Sequence, residues 1–193
     1  MRQLILGGVR SGKSRLAEQQ ARERSLQTGY PVTYLATARA GDGEMARRIE
    51  QHRQHRPDDW LTLEIPDARL PAQLQQLLQQ PGVILLDCLT LWLTQVLCED
   101  LADEEALSEA ALQRVDQLLD ELVAVVSAGG VADLILVSNE TGLGIMPLDA
   151  LTRAYGDRAG LLHQRLASVC ERVIFTVAGM PLVVKGSGFN ELY

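Results

Sequence analysis

The stretch Leu4-Ile5-Leu6-Gly7-Gly8-Val9-Arg10-Ser11-Gly12-Lys13-Ser14 decides the fold of this chain. It is a short apolar strand that runs directly into the pattern G-x-x-x-x-G-K-S, and apolar residues at helical spacing follow from Leu16 onward. In this pattern the glycines let consecutive backbone N–H groups surround an anion, and the positive end of the following helix points at it. The sequence therefore predicts a phosphate-binding loop for a nucleotide. An ordinary glycine-rich turn, the alternative, needs neither the strand before it nor the helix after it.

Every position of this loop is a predicted contact for the phosphates of a nucleotide such as GTP or ATP. Lys13 is predicted to reach the outer phosphates and to act in catalysis. The Ser14 hydroxyl is predicted to hold Mg²⁺. The full set of predicted contacts is Gly7, Gly8, Val9, Arg10, Ser11, Gly12, Lys13 and Ser14.

The composition favours one globular domain that spans residues 1–193 and has no membrane span. The chain is 47% hydrophobic and 22% charged, which is enough to bury one core, whereas two independent domains would be cramped. The net charge of −7 argues against nucleic acid as the main partner, because a phosphate backbone attracts a basic surface. Without a leader pattern or a long apolar run, we expect a cytoplasmic protein. Cys88, Cys98 and Cys170 lack metal-ligand spacing and are predicted to be buried, reduced thiols.

Short apolar runs typical of β-strands alternate with amphipathic stretches along the chain. The runs cover residues 4–6, 32–36, 60–65, 83–86, 134–137 and 173–177. This alternation predicts a doubly wound, mainly parallel sheet of the P-loop NTPase type, in a RecA-like arrangement. A last run, 182–185, follows the short connection 178–181, which cannot hold a crossover helix, so this strand is predicted to be antiparallel.

Two long helices are predicted in the second half of the chain. The longest lies within Glu104 to Ser127 and ends at Gly129-Gly130, and the acidic stretch 99–105 before it is expected to be a solvated connection. Residues 153–165 form the second helix. It carries Arg158 and His163, for which ordinary surface placement and a functional role are equally compatible with the sequence.

Two polar positions follow predicted strands. The run Val83 to Leu86 ends in Asp87, and P-loop proteins place an acid at such a point near the Mg²⁺ of the nucleotide, although many strands end in Asp. The stretch Ser138 to Pro147 is rich in glycine and polar groups. We expect it at the carboxyl edge of the sheet, where open α/β folds bind ligands, with a purely structural turn as the alternative.

The segment Glu44 to Pro57 is predicted to be a helix that ends at its proline. Four-residue spacing places Arg48, His52 and Arg56 on one face, which suits an anionic phosphate and favours the neutral, nucleophilic imidazole. A solvated charged helix is the alternative. His52 and His55 also have the spacing of a metal pair, but no third ligand is nearby in the sequence.

Together these segments resemble the bifunctional adenosylcobinamide kinase and adenosylcobinamide-phosphate guanylyltransferase family of cobalamin biosynthesis, over nearly the whole chain. The resemblance rests on the loop at 7–14, Tyr34-Leu35-Ala36-Thr37-Ala38, residues 44–57 with Trp60 and Glu64, residues 137–147, and Asp157-Arg158-Ala159-Gly160. It implies phosphorylation of adenosylcobinamide by a nucleoside triphosphate, and then transfer of GMP from GTP to that phosphate through a GMP-histidine intermediate. It also implies Mg²⁺ as cofactor and a homo-oligomer, specifically a trimer with a corrinoid cleft between subunits.

The resemblance implies roles for individual residues of this chain. The position that matches the GMP-carrying histidine is His52. The implied nucleotide contacts beyond the loop are Ala36, Thr37, Ala38, Arg53, Gln54, His55, Arg56, Glu64 and Asp87. Glu64 has a physical rationale, because a carboxylate accepts both N1–H and N2–H of guanine, which adenine cannot offer.

The chain departs from the family pattern at two positions. His163-Gln164 stands where the family usually has Asn-Gln, and Asp87 is shorter than the Glu often found there, so a water is expected to complete its metal contact. Two other functions fit the phosphate loop alone. One is a plain small-molecule kinase in which His52 takes no part, and the other is a regulatory or assembly NTPase that yields no small-molecule product.

Overall fold

The computed structural model describes residues 1–38, 43, 47, 57–101 and 108–187. In this part of the chain, helices follow most of the strands, as the sequence predicts, and one connection holds two helices. Their bounds are β1 (Arg2–Gly7), α1 (Lys13–Thr28), β2 (Val32–Ala36), β3 (Leu61–Glu64), α2 (Leu70–Leu78), β4 (Val83–Asp87), α3 (Leu89–Leu101), α4 (Glu109–Ala128), β5 (Asp133–Asn139), α5 (Ala150–Val169), β6 (Arg172–Val177) and β7 (Met180–Lys185).

The strands form one sheet in the order β3-β2-β4-β5-β1-β6-β7. Neighbouring strands are parallel except for β6 and β7, which are antiparallel. This confirms the predicted P-loop-type, mainly parallel sheet and its antiparallel last strand. β7 begins at Met180, inside the predicted connection, because Ala178 and Gly179 adopt φ values of 52° and 80° and close a two-residue hairpin turn.

Helices cover both faces of the sheet, as the apolar character of β4 requires. Val83 and Leu85 pack with Ala17 and Ala21 of α1 on one face. Ile84 and Leu86 pack on the other face with residues from α2 to α5, among them Leu74, Trp92, Leu119 and Leu166. A parallel strand buried on both faces is apolar at every position, which explains the continuous run Val83 to Leu86.

The two long helices agree with their predicted positions. In α4, Ser108 caps the first turn by accepting from the Ala111 N–H at 3.1 Å, and Gly129 at φ 62° ends the helix, as predicted. In α5, Asp149 caps by accepting from the Thr152 N–H at 2.7 Å. The helix α3 includes residues 99–101, so the stretch 99–105 is not solely a connection. None of the helices in the described ranges has the length and apolar character that crossing a bilayer requires.

The cysteines only partly match the prediction. All three thiols are free, and Cys88 and Cys170 are buried, but Cys98 on α3 is exposed, so the prediction of three buried thiols is wrong at that position. Burial raises the pKa of the Cys88 thiol to about 11 and that of the Cys170 thiol to about 12. Both therefore stay protonated at neutral pH.

Candidate functional site

The predicted phosphate loop connects β1 to α1. Arg10 has φ 56° and Gly12 has φ 92°, and the Ser11 N–H donates to the Gly8 carbonyl at 3.2 Å, which closes the turn. Gly12 is the N-cap of α1, and neither a capping side chain nor an acidic residue occupies the first turn of this helix. The first N–H groups of the helix thus face outward at its positive end, which is an arrangement that binds phosphate.

Packing explains where the loop needs glycine. A Cβ atom at Gly7 would lie 2.5 Å from the Ser11 Oγ and 2.7 Å from the Thr176 carbonyl oxygen. A Cβ atom at Gly12 would lie 3.1 Å from the Gly179 Cα, in the turn between β6 and β7. At Gly8 nothing lies within 4 Å. The loop is therefore packed tightly on the side of β6 and is open at Gly8, where a ligand can approach its backbone.

Lys13 lies in the first turn of α1, and its side chain is turned back over the loop. The residue is 8% exposed, and its Nζ donates to the Gly8 carbonyl oxygen at 3.2 Å. Burial lowers the pKa of Lys13, while the nearby Asp87 carboxylate acts in the opposite direction. An ammonium group held this close to the loop can transfer its hydrogen bonds to an incoming phosphate.

Asp87 ends β4 and lies beside the end of β2, opposite Ala36. Its Oδ2 accepts a hydrogen bond from the Tyr34 hydroxyl at 3.0 Å, and its charge acts on Lys13. Ser14 and Asp87 are both partly exposed and both supply oxygen. These are the donors that Mg²⁺ prefers, since Mg²⁺ in nucleotide sites takes one or two protein oxygens and completes its shell with phosphates and water. The residues present therefore fit a magnesium ion.

The end of β2 brings two further predicted contacts to the same edge. Ala36 lies between Asp87 of β4 and Glu64 of β3 in the sheet register. Thr37 is buried, and its hydroxyl donates to the Cys88 carbonyl at 2.7 Å and accepts from the Cys88 N–H at 2.9 Å. The Thr37 N–H also donates to the Asp87 carbonyl at 3.4 Å, so Thr37 joins the end of β2 to the end of β4. Ala38 follows at the edge and is partly exposed.

Glu64 is exposed at the end of β3, next to a cleft of about 190 Å³. The cleft is lined by Leu63, Glu64, Ile65, Arg69 and Gln73. Among these residues, the exposed Arg69 pairs with Asp67, to which its guanidinium donates at 2.9 and 2.7 Å. The lining combines one carboxylate with the amide of Gln73, so hydrogen-bond acceptors and donors are both present.

The stretch Ser138 to Pro147 begins at the carboxyl edge of the sheet, as predicted. Asn139 lies opposite Gly7 in the register, and the Glu140 N–H donates to the Gly7 carbonyl at 3.0 Å. On its other side, the Asn139 amide donates to the Thr90 hydroxyl at 2.8 Å. The end of β5 therefore connects the phosphate loop to the start of α3, just after Asp87. Asn139 belongs to the stretch 138–147 that the sequence predicts at this edge, although no individual role is predicted for it. Thr90 is not among the predicted site residues, although it is a polar residue just after a buried strand.

His163 lies on α5 and is buried, 7% exposed, so the surface placement considered from the sequence is wrong. Its Nε2 lies 2.7 Å from the Ser138 Oγ, and its Nδ1 lies 3.9 Å from the Glu140 Oε2. Burial lowers the pKa of His163, while Glu140 acts in the opposite direction. The sequence does contain a signal that predicts this burial, because His163 has helical spacing with apolar residues of the same helix. The buried residues of α5 are Ala159, Leu162, His163 and Leu166.

The remaining predicted site residues divide into two groups. Arg158 pairs with Asp116 of α4, to which its guanidinium donates at 2.9 Å, so its side chain supports helix packing. The predicted helix 44–57 falls between β2 and β3 and, apart from Arg47 and Pro57, lies outside the described residues. This applies to His52, Arg53, Gln54, His55 and Arg56.

The phosphate loop, the buried lysine and the strand-terminal aspartate define a P-loop nucleotide-binding protein. The chain belongs to the family described as cobinamide kinase / cobinamide phosphate guanyltransferase, which matches residues 3–184. It is therefore an enzyme of this type, a bifunctional kinase and guanylyltransferase of cobalamin biosynthesis that uses nucleotide substrates.

Named relatives agree with this family. The chain is 51% identical over 187 residues to the bifunctional adenosylcobalamin biosynthesis protein CobP of Pseudomonas aeruginosa, covering 96% of this chain and 98% of that protein. It is 36% identical over 185 residues to the bifunctional adenosylcobalamin biosynthesis protein CobU of Escherichia coli and to that of Salmonella typhimurium, covering 94% of this chain and 98% of each. The solved structure of the flagellar accessory protein FlaH from Methanocaldococcus jannaschii has a TM-score of 0.46 at 15% identity, covering 96% of this chain and 78% of that one, which is too distant to bear on function.

Proposed function

We propose that the chain phosphorylates adenosylcobinamide with a nucleoside triphosphate and then transfers GMP from GTP to adenosylcobinamide phosphate through GMP bound covalently to His52. The products of the second step are adenosylcobinamide-GDP and pyrophosphate. The observation that carries the proposal is that the phosphate loop, Lys13 and Asp87 meet at the carboxyl edge of the sheet. The connection that contains His52 starts from the same edge, because β2 ends there.

The loop is proposed to hold the phosphates of both nucleotide donors. Its outward N–H groups and the Lys13 ammonium bind the phosphate oxygens, and Gly8 leaves room for their approach. Ser14 and Asp87 would hold Mg²⁺, which supplies positive charge to the phosphate oxygens. In the kinase step the substrate hydroxyl attacks the γ-phosphorus and loses its proton to solvent. The bond from that phosphorus to the bridging oxygen breaks, and its electron pair leaves with the nucleoside diphosphate. The loop and Lys13 stabilise the charge that develops there.

The guanylyl transfer is proposed to proceed in two displacements. Neutral His52 attacks the α-phosphorus of GTP, a P–N bond forms, and the bond from that phosphorus to the bridging oxygen breaks, so that its electron pair leaves with pyrophosphate. Lys13, Arg53 and Arg56 offset the charge of this leaving group. A phosphate oxygen of adenosylcobinamide phosphate then attacks the same phosphorus, and the P–N bond breaks to regenerate the imidazole. Two half-reactions of this kind give ping-pong kinetics.

Base recognition is proposed for Glu64 at the end of β3. Its exposed carboxylate can accept both N1–H and N2–H of guanine. Ala36 lies between Glu64 and Asp87 in the sheet register. We propose that Ala36 and the two residues after it, Thr37 and Ala38, contact the nucleotide between its base and its phosphates. Gln54 and His55, like Arg53 and Arg56, are proposed contacts on the basis of the family resemblance.

A homo-oligomer, specifically a trimer, is proposed as the working form. The segment after β5 exposes an unusual set of large apolar side chains, with exposed fractions of 82% at Leu143, 98% at Ile145, 64% at Met146 and 97% at Leu148. Contiguous exposed apolar residues mark surfaces that bind a partner or a ligand. We propose that this segment faces a corrinoid cleft between subunits.

The free thiols Cys88, Cys98 and Cys170 support a reducing, cytoplasmic compartment.

Labelling with radioactive GTP tests the covalent step. With GTP labelled at the α-phosphate, the protein should become labelled and release pyrophosphate, whereas label at the γ-phosphate should not be retained. A phosphoramidate is lost in acid and persists in alkali, unlike a serine ester. His52→Ala should abolish labelling and guanylyl transfer while the kinase step remains measurable, and His55→Ala should still label.

The same experiment separates the alternatives. Absence of α-label together with adenosylcobinamide phosphorylation would support a plain kinase in which His52 takes no part. Label that survives in His52→Ala, or that moves to His55, would contradict the assignment of the nucleophile. Nucleotide hydrolysis without a corrinoid product would support a regulatory NTPase.

A further inference from the structure

His163 is a buried titratable residue that the proposed mechanism does not use. Its two ring nitrogens face different partners, with Nε2 at 2.7 Å from the Ser138 Oγ and Nδ1 at 3.9 Å from the Glu140 Oε2. Ser138 is fully buried, so its hydroxyl is not accessible to a substrate. Glu140 also uses its second oxygen, which accepts from the Gly142 N–H at 2.6 Å. The imidazole is thus hydrogen-bonded to Ser138 and lies near the carboxylate of Glu140, on either side of Asn139.

The segment that His163 contacts lies between the two halves of the nucleotide site. The Glu140 N–H donates to the Gly7 carbonyl at 3.0 Å, at the point where β1 becomes the phosphate loop. Asn139 donates to Thr90 at 2.8 Å, three residues after Asp87 in the chain. A shift of residues 138–140 would therefore move the loop relative to Asp87.

We propose that His163 is a positioning residue for both nucleotide-dependent reactions, because it fixes the end of β5 between the phosphate loop and Asp87. This inference rests on the proposed function, in which the loop holds the nucleotide. Helix packing alone does not require an imidazole here, since Leu162 and Leu166 already anchor the same face of α5 in the core. What the imidazole adds is a hydrogen-bond partner for the buried Ser138 hydroxyl.

Which of the Ser138 Oγ and the His163 Nε2 donates depends on the tautomer of the ring. The neutral tautomer that carries its proton on Nδ1, the nitrogen nearer Glu140, lets Nε2 accept from the Ser138 hydroxyl. Glu140 is the charged group that faces the ring among the described residues. The carboxylates that α4 presents to α5, Asp116 and Asp120, already pair with Arg158 and Arg165. Protonation of Nε2 in acid would remove the acceptor of the Ser138 bond and place a charge in a buried position.

Steady-state kinetics of the kinase step test this proposal, because the proposed mechanism does not use His52 there. His163→Ala should lower kcat roughly tenfold, as is usual for a lost supporting hydrogen bond at a functional site, with little change in the KM for adenosylcobinamide. His163→Gln keeps a group that can bond to Ser138 and should restore most of kcat. Since glutamine does not titrate, it should also remove the fall in kcat that we expect of the wild type in acid, at a pH below the ordinary pKa of histidine because burial lowers the pKa of His163.

Leu166→Val is the matched control, because it disturbs the same helix face three residues away without touching the polar link. Its kcat should stay near that of the wild type even where its melting temperature falls as far as that of His163→Ala. If His163→Ala retains full kcat, or if Leu166→Val loses kcat equally, His163 is only structural and the proposal is overturned. Should His163→Ala fail to fold, Ser138→Ala carries the same test with a smaller change. Full activity in Lys13→Ala would instead overturn the proposed use of the loop.

Discussion

Two glycines with left-handed backbone flank α1, and replacing each with alanine separates the cost of backbone conformation from the cost of packing. Gly29 has φ 72°, and nothing lies within 4 Å of an added Cβ. Gly12 has φ 92°, and an added Cβ would lie 3.1 Å from the Gly179 Cα, which is backbone and cannot rotate away. Gly29→Ala should therefore cost about 1 kcal/mol of unfolding free energy, from conformation alone. Gly12→Ala should cost about 2–3 kcal/mol, because overpacking adds to the same conformational term.

Urea unfolding measures both free energies, and both variants should remain folded, since domains of this kind have about 5–15 kcal/mol of stability. Nucleotide binding by calorimetry gives the second readout. Gly12→Ala should weaken GTP binding at least about tenfold, or 1.4 kcal/mol, because its loop N–H groups shift, whereas Gly29→Ala should bind like the wild type. Equal losses of unfolding free energy in the two variants would refute the packing of the β6–β7 turn against the loop. Unchanged GTP affinity in Gly12→Ala would refute the role of the loop conformation.

Three further predictions address single side chains. Lys13→Ala should depress the kinase and guanylyltransferase rates on the order of a hundredfold or more, since one loop serves both donors, and a full guanylyl transfer rate would require a second nucleotide site. Glu64→Gln should weaken GTP more than ATP by about 1–3 kcal/mol in competition binding, and equal losses would assign Glu64 a structural role. Iodoacetamide at pH 8 should modify Cys98 first, because burial raises the pKa of Cys88 to about 11 and of Cys170 to about 12, and mass spectrometry showing a buried thiol modified first would contradict this.

Local and contiguous signals in the sequence predict much of this fold. The loop at 7–14, the strand ending in Asp87 and the cap of α4 at Gly129 each depend on neighbours in the chain, and the structure places each as expected. The helix α3 was not predicted as a helix, because it begins two residues after β4 ends and its apolar residues continue those of the strand. Its buried positions, which include Leu89, Trp92, Leu93 and Val96, have helical spacing and could have revealed it.

The environments of single side chains depend on tertiary contacts that the sequence does not contain. Cys98 and Cys88 lie ten residues apart in similarly apolar stretches, yet one is exposed and the other is buried. His163 lies on an apolar face of α5, and its neighbours Ser138, in β5, and Glu140, just after β5, come more than twenty residues earlier in the chain. Only the packing of α5 against the end of β5 makes that histidine part of the site.

The strand order explains why the end of β5 controls the nucleotide site. β5 lies between β1, which leads into the phosphate loop, and β4, which ends at Asp87. Neighbouring strands are about 4.8 Å apart, so the loop and Asp87 start from backbones about two strand widths apart, and the end of β5 fills the space between them. The sequence motifs identify β1 and β4, the two strands on either side of β5, because the phosphate loop and Asp87 lie at the ends of these strands in the chain. The middle strand contributes hydrogen bonds from Asn139 and Glu140 to both sides, so a residue such as His163 that holds this strand end affects the loop and Asp87 together.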